Sequence, residues 1–156
     1  MKIGVTGTRN GMSEIQENKF KTILTNGIKF LYPPLLSDEF HHGDCVGADV
    51  QAAQIAKNIG YRIICHPPIV TELRGYFLSD DYRPPLTYFQ RNRNIVDEID
   101  FLFVLPMDNE PKEKGGTWYT FNYALRRNKP VMIIYPEGNS VYYHNPTKEP
   151  TLDEIL

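Results

Sequence analysis

Short apolar runs alternate along this chain with longer segments of helical period, and the alternation predicts repeated strand–helix units. Lys2-Ile3-Gly4-Val5-Thr6 is a β-rich run ended by Gly7. Ser13, followed three residues later by Gln16, is a capping-box signal for the next helix. That helix carries Ile15, Phe20, Ile23, Leu24 and Gly27 at helical spacing and stops before Pro33-Pro34, which cannot continue it. Glu39 to His42 reads as a second strand. From Asp49, the residues Ala52, Ala53, Ala56 and Ile59 form an apolar stripe that Gly60 closes as a C-cap. Tyr61 to Cys65 is a third strand, Phe101 to Leu105 a buried fourth, and Val131 to Tyr135 a last one with no polar side chain before Tyr135. Pro84-Pro85 is expected to open a helix through Ile99, because proline is tolerated in a first turn, and Thr117 to Asn128 is a further helix.

Between Pro67 and Pro85 there is no clear period, and this Pro-, Asp-, Arg- and Tyr-rich stretch is longer than most connections, as lids are. Beyond Pro136 the sequence is polar and Pro-rich and ends in Thr151-x-x-Glu154, a cap for one short helical turn. Strands that alternate with helices imply an α/β fold: a mostly parallel sheet of about five strands, covered on both faces. Residues 1–136 are expected to form one domain and residues 137–156 a tail packed on it.

The 156 residues suffice for a single domain that needs no disulfide. Cys45 and Cys65 are the only cysteines, without CxxC spacing or a secretory leader, so a reduced, cytoplasmic location is expected. No apolar run is long enough for a bilayer, so no membrane partner is expected. The formal net charge of −2 argues against duplex DNA as the main partner, since that affinity comes from excess Lys and Arg.

The chemistry concentrates in three glycine-bearing turns, each between a strand and a helix: Thr6-Gly7-Thr8-Arg9, His42-Gly43-Asp44-Cys45-Val46-Gly47-Ala48-Asp49 and Lys114-Gly115-Gly116-Thr117. The first N–H groups of a helix lack intrahelical partners and lie at the positive end of its dipole, so small-residue turns there admit an anion. In open α/β sheets such turns lie at the carboxyl edge of the strands, where ligands bind. Arg9 either pairs with a phosphate or packs its stem over the sheet edge. Asp49 either bonds a ribose or complements the helix dipole. Gly43 and Gly47 are consistent with binding and equally with tight packing. Arg91 and Arg93 cannot share a helix face, so only one, Arg91, is expected in the pocket, with Arg93 on a carboxylate such as Asp97. Trp118, Tyr119 and Tyr123 offer a stacking ring or core packing, and Tyr76, Phe77, Tyr82 and Tyr88 are ambiguous in the same way. His41, His42, Cys45, Cys65 and His66 lie near two strand ends, but successive strand residues point to opposite faces and no known ligand spacing appears, so no metal site is expected.

The ordered set His42-Gly43-x-x-x-Gly47-Ala48-Asp49, Gln90-Arg91-Asn92-Arg93 before an apolar strand, and Gly115-Gly116-Thr117 with Ala124 and Lys129-Pro130-Val131 resembles the SLOG superfamily. It is closest to the YspA-like branch and more distant from DprA (Smf) and the cytokinin-activating LOG enzymes. The resemblance implies a Rossmann-like three-layer sandwich that binds a nucleotide or a nucleotide-derived ligand, as a cytoplasmic homodimer or higher homo-oligomer. By the same resemblance, Gly115, Gly116 and Thr117 hold phosphate, Gly7, Thr8 and Arg9 form the facing wall, Gly43, Asp44, Gly47 and Asp49 belong to the second turn, and Arg91 and Asn92 complete the pocket. LOG-type enzymes cleave the N-glycosidic bond of nucleoside monophosphates with an arginine and a glutamate. Here Thr120 stands where that glutamate is expected, and a threonine hydroxyl does not ionise near neutral pH. Glu110, Glu113, Asp44 and Asp49 could supply a carboxylate from another loop, but nothing in the sequence places one against a sugar. The first expectation is therefore a sensor or sequestering module for a nucleoside phosphate or ADP-ribose-like ligand, without a cofactor. The alternatives are a nucleoside 5′-monophosphate N-glycosidase and a DprA-like single-stranded DNA binder. An NAD-dependent dehydrogenase is disfavoured because the first turn lacks Gly-x-Gly-x-x-Gly.

Overall fold

Alternate side chains of each strand serve different helical layers. The computed structural model describes residues 1–27 and 38–144. Among these, β1 (Lys2–Gly7), β2 (Glu39–His42), β3 (Arg62–Cys65), β4 (Asp81–Tyr82), β5 (Phe101–Leu105), β6 (Val131–Ile134) and β7 (Ser140–Tyr143) form one sheet. The α-helices are α1 (Glu14–Thr22), α2 (Ala48–Ile59), α3 (Tyr88–Glu98) and α4 (Gly116–Arg126). The sheet order is β4-β3-β2-β1-β5-β6-β7, parallel throughout except for the β6–β7 pair. The chain thus builds outward in both directions from β1, and strand order reverses between β1 and β5.

Phe101, Phe103 and Leu105 of β5 join Ile3, Val5 and Phe40 under α1 and α2. Leu102 and Val104 join Val131 and Ile133 under α3 and α4. All five residues of β5 are buried, which explains a strand with no polar position. Phe20 of α1 is the centre of the first core, with the rings of Phe103 and Phe40 edge-on at 5.0 and 6.3 Å. Gly60 closes α2 in a left-handed conformation, φ 113°, as the sequence predicts.

The structure corrects several expectations. Ile15 is 59% exposed. Its neighbour Gln16 is buried instead, and its Nε2 donates to the carbonyls of Pro106 (3.0 Å) and Ile134 (2.7 Å). A buried side chain that bonds carbonyls at the ends of β5 and β6 is not registered by hydrophobic periodicity. α1 stops at Thr22 and continues as a π-helical turn, Ile23–Gly27. α3 begins after Thr87 rather than at Pro84-Pro85, because Thr87 and Gln90 form a capping box. The 67–85 stretch is part of the sheet's edge rather than a detached lid: Asp81 and Tyr82 pair with Ile64 and Cys65, and further bridges join Cys45 to Arg74 and Pro68 to Leu86. The sheet has seven strands rather than about five, because β4 and β7 are short edge strands. Pro33-Pro34 and the Thr151-x-x-Glu154 cap lie outside the described residues. No described helix is long and apolar enough to cross a membrane.

Since Phe20 is fully buried between two rings, Phe20→Ala should lower the unfolding free energy by about 3–5 kcal/mol in a denaturant titration. An unchanged midpoint would contradict this packing.

Candidate functional site

β1 and β5 end side by side, with Gly7 opposite Leu105. There the first turn is fastened to its neighbours: the Thr8 amide donates to the Leu105 carbonyl (3.0 Å), and the Ala48 amide donates to the Thr8 carbonyl (2.9 Å). A cleft of about 840 Å³ opens above these turns. Its walls include Gly7, Thr8 and Arg9 of the first turn, Gly43 and Asp49 around the second, Arg91 and Asn92 of α3, and Gly115, Gly116 and Thr117 at the start of α4. α4 begins at Gly115 with no side-chain cap, so its first amides have no capping acceptor. A Cβ on Gly116 would stand 3.8 Å from the Asn92 amide nitrogen, which places a second donor beside that helix start.

Asp44 and Gly47 do not line the cleft. Asp44 is buried and accepts from Arg74 Nε (2.9 Å) and the Phe77 amide (2.9 Å), so it anchors the 67–85 stretch to the second turn. Gly47 has φ 90°, and a Cβ there would collide with the Arg9 carbonyl, so this glycine lets the second turn close against the first.

Arg91, only 4% exposed, dominates the floor. Nε donates to Asn92 Oδ1 (2.7 Å), Nη1 donates to the carbonyls of Gly43 and His66, and Nη2 reaches Cys45 Sγ at 3.7 Å. The guanidinium thus ties α3 to the ends of β2 and β3, and most of its donors are already engaged. Arg9 is exposed and lies 5.1 Å over the Tyr88 ring, which Arg91 also approaches at 5.6 Å. Arg93 is exposed, but Asp97 is bonded by Tyr123 and Arg127 instead.

Gly43 separates the buried charges. A Cβ there would lie 2.7 Å from Arg91 Cζ and 2.9 Å from Asp49 Oδ2. Burial pushes the Asp49 carboxyl up to about 6, against the opposing pull of Arg91 and of the Cys45 amide, which donates to Oδ2 at 3.2 Å. Burial likewise raises the pKa of the Cys45 thiol, which removes it as a ready nucleophile. Thr120 donates its hydroxyl to the Gly116 carbonyl (2.7 Å), a bond within its own helix. Among the other carboxylates, Glu113 and Asp108 reach the rim, whereas Glu110 pairs with Lys112 at 3.0 Å and does not line the cleft.

Phe89, 55% exposed, packs its ring 4.5 Å from Tyr119, and both line the cleft. Trp118 also touches it, yet is mostly buried and packs edge-on against Phe121 in the second core. Sequence reasoning missed Phe89, Met107 and Asn10. Met107 is an exposed apolar residue, and the Asn10 amide donates to its sulfur at 2.8 Å. None of the three belongs to a motif; the only signal was proximity to the first turn, to Tyr88 and to the end of β5.

His41 and His42 point to opposite faces. His42 accepts from the Asp44 amide (3.0 Å) and lies 2.9 Å from Ser79 Oγ; burial draws its pKa down to about 4. His41 Nδ1 lies 2.8 Å from His66 Nε2, and burial lowers both of their pKa values.

Because its pKa is held above that of an unfolded chain, folded Asp49 binds an extra proton between about pH 4 and 6, and its share of stability falls as pH rises through that window. Relative to Asp49→Asn, the wild type should gain up to ~3 kcal/mol of unfolding free energy as pH falls from 7 to 4. A pH-independent difference in denaturant titrations would refute the shift.

No protein-family model and no curated protein matches the chain. Solved structures do. The molybdenum cofactor binding protein of the phototrophic bacterium Rippkaea orientalis superposes with a TM-score of 0.63 at 21% identity, over 86% of this chain and 76% of that one. The molybdenum cofactor carrier protein of Chlamydomonas reinhardtii gives 0.57 at 21% identity, over 85% and 74%. DprA from Streptococcus pneumoniae gives 0.60 at 18% identity, over 85% of this chain but 49% of that one. At these identities the likeness establishes the fold: this chain has the Rossmann-like fold that these proteins share.

Proposed function

We propose that the cleft binds a nucleotide or nucleotide-derived ligand, a nucleoside phosphate or ADP-ribose-like molecule, and that the protein acts as a sensor or sequestering module. The observation that supports this most is the convergence of the three turns on one cleft beside the uncapped start of α4. Amides without partners at the positive end of a helix dipole favour an anion, and Arg9 is an exposed cation on the same cleft. The phosphate sits on Gly115, Gly116 and Thr117. The heterocycle lies on the Phe89–Tyr119 rings, and Asn92 and Asp49 meet the polar groups between. Gly43 keeps the floor open, while Asp44 and Gly47 hold the second turn in place. That two neighbours are described as binding or carrying molybdenum cofactor supports a small-molecule occupant on this architecture. The net charge of −2 favours such a ligand over nucleic acid. The setting we propose is the cytoplasm, and the working unit a homo-oligomer, which light scattering would measure.

A second reading, nucleoside 5′-monophosphate N-glycosidase, draws on Asp49. A carboxyl poised at about 6 in a cleft has the acidity of a general acid or base.

Incubation with nucleoside monophosphates, ADP-ribose derivatives, cyclic nucleotides and molybdenum cofactor, followed by mass spectrometry, separates these readings. Retention of an intact ligand supports the sensor; release of free base supports the glycosidase. Gly116→Asp sets a carboxylate at the phosphate position and should weaken affinity at least about tenfold, as like-charge juxtaposition costs kilocalories. Phe89→Ala should cost about 1–3 kcal/mol of binding, the worth of one stacking ring. Unchanged affinity in both variants would overturn the assignment of the cleft.

A further inference from the structure

We propose that His41, His66 and Glu98 form a binding site for a divalent transition-metal ion of the zinc type, beneath α3 and outside the ligand cleft. The three come from β2, the end of β3 and the end of α3, and none of them lines the cleft. The alternation that separates His41 from His42 leaves His41 free to cluster with residues of its own face.

The geometry carries the proposal. His41 Nδ1 lies 2.8 Å from His66 Nε2 and 3.6 Å from Glu98 Oε2, and His66 Nε2 lies 3.9 Å from that same oxygen. A triangle with these sides has a centre about 2.0 Å from every corner, the length of a Zn–N or Zn–O bond. Two imidazoles and one carboxylate are a donor set that zinc accepts, with the fourth position left to water.

The surrounding groups match what a ligand set requires. A metal-bound imidazole donates its other ring N–H to a carboxylate or carbonyl, which fixes the tautomer. His41 Nε2 lies 3.0 Å from Glu39 Oε1, which favours the proton on Nε2 and leaves Nδ1, 2.8 Å from His66 Nε2, with a lone pair. The Glu98 carboxylate is in turn gripped by Arg83, with Nε at 3.1 Å from Oε1 and 3.0 Å from Oε2, and Nη2 at 3.0 Å from Oε2. The His66 backbone is fixed by its carbonyl's bond from Arg91 Nη1 (3.0 Å). Both imidazoles are buried, while Glu98 and Glu39 are partly exposed, which gives an ion a way in. The buried Nδ1 of His66 has no hydrogen-bond partner among the described residues, so the acceptor that Glu39 gives His41 has no counterpart on His66.

The test uses the full chain, stripped with a chelator and titrated with zinc by calorimetry and with cobalt by visible absorption. One ion per chain is expected, with the intense visible bands of low-coordinate cobalt. Glu98→Gln, at a partly exposed position, and His41→Asn should abolish binding. Glu39→Gln should weaken it about 10–100-fold, an effect that a purely structural histidine pair would not produce. Cys65→Ser should bind normally, because Cys65 belongs to the separate His42, Asp44, Cys65 cluster. If the wild type binds no zinc, or if Glu98→Gln and Glu39→Gln bind as tightly as the wild type, the proposal is wrong. Loss of binding in Cys65→Ser alone would move the ion to the other cluster and equally overturn it.

Discussion

A guanidinium buried at the end of a parallel sheet has to be matched by acceptors on every side, and Arg91 is matched by the loops that shape the cleft. Its contacts with Gly43, His66, Asn92 and Cys45 join α3 to the ends of β2 and β3. Nothing larger than hydrogen fits on Gly43, between that guanidinium and Asp49. The cost of leaving a buried charge unmatched, about 3–5 kcal/mol, is enough to hold these loops in one arrangement. Arg91 is thus a positioning residue, and the exposed cations on the cleft include Arg9 and Lys114.

The same framework explains why glycine recurs where strands become helices. Gly47 closes the second turn onto the first, whereas Gly115 leaves the start of α4 bare of a side-chain cap. One serves packing and the other opens amides to the cleft. The topology brings both kinds together, because the order β2-β1-β5 sets the first turn beside the second and above Leu105. Asp49, raised to about 6 by burial, then sits in a cleft whose upper wall is a positive helix end. That pairing of a neutralisable acid with an anion site suits a ligand that carries both hydroxyls and phosphate.

Much of this was legible in the sequence. β5 and β6 announce themselves as unbroken apolar runs because both faces of the sheet are covered, and Gly60 marks the end of α2 because only a left-handed cap fits there. Two short strands were not legible. Asp81–Tyr82 is only two residues long, and Ser140–Tyr143 shows solvent most of its side chains, so neither carries an alternation. The capping box at Thr87 outweighed the helix-opening signal of Pro84-Pro85. Most of the turn residues expected at the site do line one cleft, but Asp44 faces Arg74 and Phe77 instead, a partnership across about 30 positions that no local pattern encodes. Phe89 and Met107 became visible only when α3 and the end of β5 met at the rim.

The most direct test of the account is an amide chemical-shift titration of the isotopically labelled protein with a nucleoside monophosphate. The account predicts the largest shifts at the amides of Thr8, Gly115, Gly116 and Thr117, where α4 and the first turn face the cleft. Saturable binding that moves only amides remote from these turns would contradict it.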